Sequence, residues 1–221
     1  MILGIDTTGA DLKMGLAKLG QVSSKSWLNG PRHSRILLPQ ILEFLDEKDA
    51  ALEDLSALAF SQGPGSFTGL RVAVGVIQGL AYGLGLPVIE VPTMAVIALQ
   101  AGRDHQIDDV LVAVHAREAE VYAGFYRNCR SGFPELSEGP RVHTRASLQD
   151  CLDSAWGLAG DGAFIFDDDA HPMLTKTDIV DATAEDLLLL AVEQFDRGLT
   201  VSALKAAPLY VREIVASKSR P

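Results

Sequence analysis

Hydrophobic residues fall along this chain in short blocks whose period switches between about two and about 3.6, the pattern of strands alternating with helices. Ile2 to Ile5 is an unbroken apolar run ending at Asp6-Thr7-Thr8-Gly9, and predicts a short buried strand. Leu12 to Leu19 and Val22 to Trp27 alternate around Gly20-Gln21 and predict two more strands joined by a hairpin turn. A helix is expected over residues 35–48, with Ser34 as its N-cap, Pro39 early in it, and Leu37, Leu38, Ile41, Leu42 and Leu45 on one face. Leu52 to Leu55 reads as a helical turn, Ala57 to Ser61 and Leu86 to Val91 as strands, and Thr93 to Ala101 as a helix. Such alternation argues for an α/β fold with crossovers.

Gly102-Arg103-Asp104-His105-Gln106 is the one clearly polar stretch, and places a boundary between an N-terminal lobe (1–102) and a C-terminal lobe (103–198). The last segment, about 199–221, is expected to pack back on the first lobe. The second half starts again with strands, at 110–114, 121–127 and 141–144, and a fourth at Ile179-Val180. Helices are expected at 146–153 and 184–197, and a strand with a glycine turn at 157–162 (GLAGDG). Asp167-Asp168-Asp169 reads as a solvated loop, because the spacing and terminal glutamate of a calcium loop are missing. Pro208 to Arg212 is expected to be extended and the tail to Pro221 frayed. No internal sequence repeat is strong enough to prove a duplication.

The stretch from Gly63 to Gly85 (GPGSFTGLRVAVGVIQGLAYGLG) dominates the first half. A glycine-rich turn enters a helix that carries no charge after Arg71, with Ser66 or Thr68 placed to cap it. A loop–helix junction of this kind can hold an anion; the alternative is a tight turn into a core helix. The P-loop ending of Lys followed by Ser or Thr is absent, since Leu70-Arg71 follows Gly69. Leu70, Val74, Ile77, Ala81 and Leu84 form one apolar stripe; Val72, Gly75, Val76, Gly79 and Gly83 form another, nearly opposite. A helix apolar on two sides needs cover on both. Its own core supplies one; a second helix brought close by Gly75 and Gly79 would supply the other. A membrane span is rejected, because Gly83, Gly85 and Pro87 stop the apolar run short of the ~20 residues required.

Composition narrows the class. The 221 residues suffice for a sizeable core, and 48% are hydrophobic. A net charge of −10 makes unaided binding of nucleic acid a poor fit, since phosphate contacts need clustered Lys and Arg. Cys129 and Cys151 form neither a metal spacing nor a disulfide framework, which suits a reducing cytoplasm. The N-terminus reads directly as a strand, without the basic and apolar regions of a signal peptide. The turn Asp6-Thr7-Thr8 is either a phosphate-binding hairpin of the sugar-kinase kind or an Asx turn closing a hairpin.

Ile5-Asp6-Thr7, His33-Ser34 with Leu38-Pro39, the block GPGSFTGLR at 63–71, Glu120-Val121-Tyr122 and PLYVR at 208–212 occur in that order. Together they resemble the bacterial TsaB (YeaZ) family over nearly the whole chain; the block at 63–71 is the specific one. The resemblance implies a two-lobed actin-like, sugar-kinase-like (ASKHA) fold, each lobe a mixed sheet with flanking helices. It also implies a non-catalytic subunit in making the threonylcarbamoyl group on adenosine 37 of tRNAs that read ANN codons. In that family the transferase is the paralogue TsaD, which TsaB pairs with and activates, and the ATPase TsaE joins them. Members also form homodimers through the same surface.

By that likeness the partner interface uses the helices at 35–48 and 67–84, through Leu37, Ile41, Arg71, Val72, Gly75, Val76, Gly79 and Gly83. A degenerate nucleotide site would involve Asp6, Thr7, Thr8, Gly160 and Gly162. Thr93 and Ile97 stand where the catalytic paralogue carries its metal-binding histidines, and neither that pair nor an isoleucine can hold a transition metal. No catalytic residue, metal or cofactor is therefore expected, and tRNA would be met only through the complex. One departure from the family is His115-Ala116-Arg117, where Asp-Ala-Arg is usual. The alternative function is an ATP-dependent phosphotransferase of the sugar-kinase type, with Asp6 near the metal and Asp161 the candidate second acid; a metallopeptidase is a third.

Overall fold

In the computed structural model, residues 1–28, 33–130, 132–166 and 171–211 are described, the side chains of His33, Ser34 and Arg35 excepted. The opening apolar run is β1 (Ile2–Asp6), wholly buried because it sits at the centre of a five-stranded sheet. It pairs antiparallel with β2 (Leu12–Lys18), which pairs antiparallel with β3 (Gln21–Trp27). On its other side it runs parallel to β4 (Ala57–Ser61), and β4 parallel to β5 (Val88–Val91), giving the order β3-β2-β1-β4-β5.

The second half builds a second five-stranded sheet. The central β6 (Val110–Arg117) pairs antiparallel with β7 (Glu120–Arg127), and β7 with β8 (Glu135–Thr144). β6 also runs parallel to β9 (Trp156–Ala159), and β9 to β10 (Leu174–Lys176), so the order is β10-β9-β6-β7-β8. Counted from the start of each half, the two orders and directions are identical. The same topology is used twice although the sequence shows no repeat.

The helices fill three layers. α1 (His33–Asp46) and α2 (Phe67–Leu84) cover the outer face of the first sheet, around Leu37, Ile41, Phe44, Phe60 and Ile77. α4 (Arg145–Gln149) and a short 3-10 segment, Asp161–Phe166, cover the outer face of the second, around Phe125, Leu148 and Trp156. Between the sheets lie α3 (Thr93–His105) and α5 (Ala184–Asp196), which pack against each other. Each lies on the other half's sheet: α3 packs on β6 and β9, and α5 on β1 and β2. Gly4 and Gly15 allow α5 to come close, since a methyl group on Gly15 would lie 2.6 Å from Leu188 Cδ1.

This exchange corrects two sequence expectations. The polar stretch 102–106 is the last turn of α3 and its left-handed cap at Gln106, not a linker. Its charges are paired: the Arg103 guanidinium meets the buried Asp186 carboxylate on α5. Gly102 lies under the turn after β7, where a Cβ would be 2.4 Å from Cys129. And α5, counted with the second lobe by sequence position, packs on the first sheet. Smaller differences follow from local bonding. Ile179-Val180 is not a strand: the Ile179 N–H turns to the Thr177 hydroxyl at 3.4 Å, although its carbonyl accepts from Gly160 N–H at 2.8 Å; the edge strand is Leu174–Lys176. The helix at 146–153 stops at Gln149, and α1 begins at His33, so Ser34 lies inside it. Residues 167–169 and 212–221 lie outside the described residues. Before them, the chain returns to the first sheet: Val201 and Val88 exchange backbone bonds of 2.8 and 2.9 Å, and Leu209 N–H donates to Gln62 O at 2.8 Å.

Candidate functional site

The turn after β1 is closed by its own side chains. The N–H and the hydroxyl of Thr8 both donate to Asp6 Oδ1 at 2.7 Å, an Asx turn. Asp6 Oδ2 and Thr7 Oγ1 are buried without a partner among the described residues. Burial, then the nearby Asp181 carboxylate, pushes the Asp6 carboxyl above its ordinary pKa, against the opposing pull of Lys13 and Thr8. Asp181 lies over Gly9 and is held by Lys13, whose ammonium also donates to Ala182 O at 2.6 Å.

The glycine-rich loop seats against this turn. Ser66 N–H donates to Thr8 O at 2.7 Å, and a Cβ on Gly65 would lie 2.6 Å from Thr8 Cβ. A Cβ on Gly69 would lie 2.0 Å from Thr7 O. Two more of the loop's N–H groups are used internally: Gly63 donates to Thr93 Oγ1 at 3.0 Å, and Gly69 to the cap Ser66 Oγ at 3.2 Å. Protein carbonyls therefore stand against the helix start, where a phosphate would need room. The tight-turn reading of the loop holds.

Across from it, Gly160 and Gly162 are packing glycines. Gly160 has φ +99° and lies against Ala113 O; a Cβ on Gly162 would be 2.8 Å from Val121 Cγ1. Asp161 Oδ1 accepts from His115 N–H at 2.8 Å, and the exposed His115 ring meets Phe164 edge-on at 5.5 Å. The structure brings Thr8 and Asp161 to the walls of one cavity of about 250 Å³, with Thr93, Ile97 and Asp181; Gly160 and Gly162 do not line it. The ionisable groups on its walls are both carboxylates. They repel phosphate unless a cation intervenes. Thr93 is tied to Gly63, Ile97 is buried in the core, and no group of three or more His, Cys, Asp or Glu able to hold a metal occurs among the described residues.

The outer helices offer a different surface. On α2, Leu70, Val74, Ile77 and Ala81 are buried and form the inner stripe. Opposite them Arg71, Gly75, Gly79 and Gly83 are exposed, with Val72 and Val76 half-buried at the edge. A Cβ at Gly75, Gly79 or Gly83 would meet nothing within 4 Å. Aromatic residues close both ends of this open row: Phe67 (57% exposed), under the Arg71 guanidinium at 3.5 Å, and Tyr82 (71%). Both were missed in the sequence, yet Phe67, Arg71, Gly75, Gly79 and Tyr82 follow one helical spacing that would have found them. On α1, Leu37 and Ile41 were expected at the partner face but are wholly buried in the chain's own core. The side chains that α1 turns outward are Leu38 (44% exposed) and Leu42 (48%). By length and composition α2 could cross a membrane; here its inner stripe is packed on the first sheet and its cap Gly85 ends it in a left-handed turn.

Comparison with known proteins settles the relationship. The chain is 34% identical to the tRNA threonylcarbamoyladenosine biosynthesis protein TsaB of Escherichia coli (strain K12), over 100% of this chain and 98% of that protein. The chain belongs to the TsaB family. The Haemophilus influenzae TsaB is likewise 34% identical, over 100% of this chain and 97% of the relative. The solved structure of YeaZ from Pseudomonas aeruginosa superposes with a TM-score of 0.85, at 34% identity, over 95% of this chain and 99% of that one. The two-lobed actin-like, sugar-kinase-like architecture is thus that of a TsaB-family protein. A family model described as TsaD, tRNA N6-adenosine threonylcarbamoyltransferase, matches residues 28–137, the stretch holding α1, α2 and the central strand of the second sheet.

Proposed function

We propose that this chain is the non-catalytic partner of a TsaD-like transferase in making threonylcarbamoyladenosine on tRNA. It docks through the open face of α2 beside α1 and activates that enzyme in a cytoplasmic complex with a TsaE-like ATPase. In isolation a second copy takes the same face. The observation that carries the reading is the row Phe67, Arg71, Gly75, Gly79 and Tyr82: an exposed helix face on which a second helix can approach backbone to backbone between aromatic ends. The relatives' names support the pathway, and the match to a TsaD model supports a partner drawn from this chain's own kin. The self-closed turn at Asp6 and the acidic cleft lend no support to a phosphotransferase. The test is capture of the TsaD-like protein by wild-type and Gly79→Leu chains, with threonylcarbamoyladenosine in tRNA measured after depletion. The variant should stay folded and lose capture, and depletion should lower the modification. Wild-type capture by a folded Gly79→Leu chain would remove the interface, and unchanged modification would remove the function.

A further inference from the structure

The guanidinium of Arg71 stands near the N-terminal end of the open face of α2, and two aromatic residues fix it there. Its central carbon lies 3.5 Å from the centre of the Phe67 ring, and its Nε donates to the Tyr210 hydroxyl at 3.4 Å. Tyr210 is held in turn by the segment that runs back along the flank of α2. Gln78 Nε2 donates to Ala206 O at 2.8 Å, Gln62 Nε2 to Ala207 O at 3.1 Å, and Leu209 N–H to Gln62 O at 2.8 Å. Phe67, Arg71 and Tyr210 are all exposed, so this stack is built at the surface and not in the core. A long side chain ordered beforehand loses less entropy when a partner binds.

The stack leaves the far end of the guanidinium open. Arg103, Arg117, Arg141 and Arg197 each meet a carboxylate. Arg71 meets none among the described residues, and its terminal nitrogens Nη1 and Nη2 donate to no described residue. Yet the chain holds 29 acidic residues against 19 Lys and Arg, so its own surface withholds an acid here. A helix laid on the open face of α2 would take water from this charge. A desolvated guanidinium left unpaired is strongly destabilising. With Nε taken by Tyr210, the end-on pair of nitrogens remains, and a carboxylate fits it with two parallel hydrogen bonds. α2 itself carries no Asp or Glu, so a second copy packed α2 to α2 would bring two arginines and no acid. We propose, resting on docking through the open face of α2, that Arg71 receives an Asp or Glu carboxylate of the TsaD-like partner. This contact selects that partner over a second copy of the chain, and Tyr210 positions it.

The test uses the purified full chain and the purified TsaD-like protein, with heterodimer affinity from calorimetry and self-association from sedimentation equilibrium. Arg71→Gln should weaken the heterodimer about ten- to a hundredfold, the worth of a hydrogen-bonded charge. It should leave self-association unchanged or stronger. Tyr210→Phe removes only the acceptor at Nε and should weaken the heterodimer about two- to tenfold. Both side chains are exposed, so melting temperatures should hold. Raising NaCl from about 50 to about 500 mM should weaken the wild-type heterodimer more than the Arg71→Gln one. Arg71→Glu should bind worst, and one Asp→Arg or Glu→Arg change on the partner's docking helices should restore it. Gly79→Leu separates two kinds of failure. If it abolishes binding while Arg71→Gln binds like wild type, the docking face stands and the Arg71 contact is overturned. If Gly79→Leu also binds like wild type, the face itself falls and the contact with it. Equal losses of heterodimer and homodimer in Arg71→Gln, or no charge reversal that restores Arg71→Glu, would likewise overturn the proposal.

Discussion

Asp6 shows how far single residues were legible. Its place at the end of the first strand, followed by two threonines, left open a phosphate-binding hairpin or an Asx turn, and the Asx turn forms. The carboxylate beside it was not legible, because Asp181 and Lys13 are far apart in sequence and meet only when α5 docks. Burial and Asp181 raise the Asp6 pKa in the folded state, so the folded chain binds its proton more tightly than the unfolded one. The sign follows: stability is fullest below the ordinary carboxyl pKa of 3.8 and declines as pH rises through the raised folded value. Asp6→Asn keeps the acceptor for Thr8 and removes the charge. The variant's melting temperature should match or exceed that of wild type at pH 7, and should fall less between pH 4 and 7; an unchanged pH slope would discard this account. Cys129 offers a second test at this scale. Its thiol is buried and pushed up to about 12, chiefly by desolvation, whereas Cys151 is half-buried and raised by a smaller desolvation with Glu138 and Asp150 nearby. Iodoacetamide on the native chain should label Cys151 well before Cys129, as peptide mass mapping would reveal.

Among the elements, α2 was the most legible, because eighteen residues of helical periodicity separate an inner stripe from an outer one, although Val72 and Val76, counted with the outer stripe, pack against the chain's own core at its edge. α1 was less so. Five apolar residues spread over a wide arc do not tell which edge of the arc faces in, and the first sheet took Leu37 and Ile41. The glycines of the α2 region divide the same way, and two substitutions separate their roles. Gly69→Ala places a methyl against the Thr7 carbonyl, a backbone atom that cannot step aside. Overpacking of this kind costs about 1–3 kcal/mol, so denaturant midpoints should drop clearly. Gly79→Leu meets open space and gains helix propensity of about 1 kcal/mol. It should leave the isolated chain as stable as before, or more so, while removing partner capture. A destabilised Gly79→Leu or a neutral Gly69→Ala, read in urea titrations, would reverse the two assignments.

At the scale of the whole molecule, the exchange of α3 and α5 is what the sequence concealed. Helix and strand periods mark elements, but nothing in them says which sheet a helix covers. The charged stretch 102–106 looks like a linker because exposed helix ends and linkers share a composition. Its key charge is bound to a carboxylate far along the chain. The twofold topology was hidden for a related reason: sheet order depends on which apolar faces meet, and many sequences satisfy the same order. The exchange has a mechanical consequence. Leu187 and Leu188 of α5 are wholly buried in the core between the two sheets. A fragment of residues 1–105 would leave that face of the first sheet bare, along with the side of α3 that meets the second sheet. A separate lobe is therefore not a separate folding unit here. The fragment should show little cooperative unfolding by circular dichroism and bind hydrophobic dyes, whereas the whole chain melts in one transition. Leu188→Ala, at the contact with Gly4 and Gly15, tests the same coupling without cutting the chain. It should cost about 2–5 kcal/mol and lower the protection of amides in both sheets together. Protection lost from the second sheet alone, with the first intact, would mean that the helices are not the shared core that their packing implies.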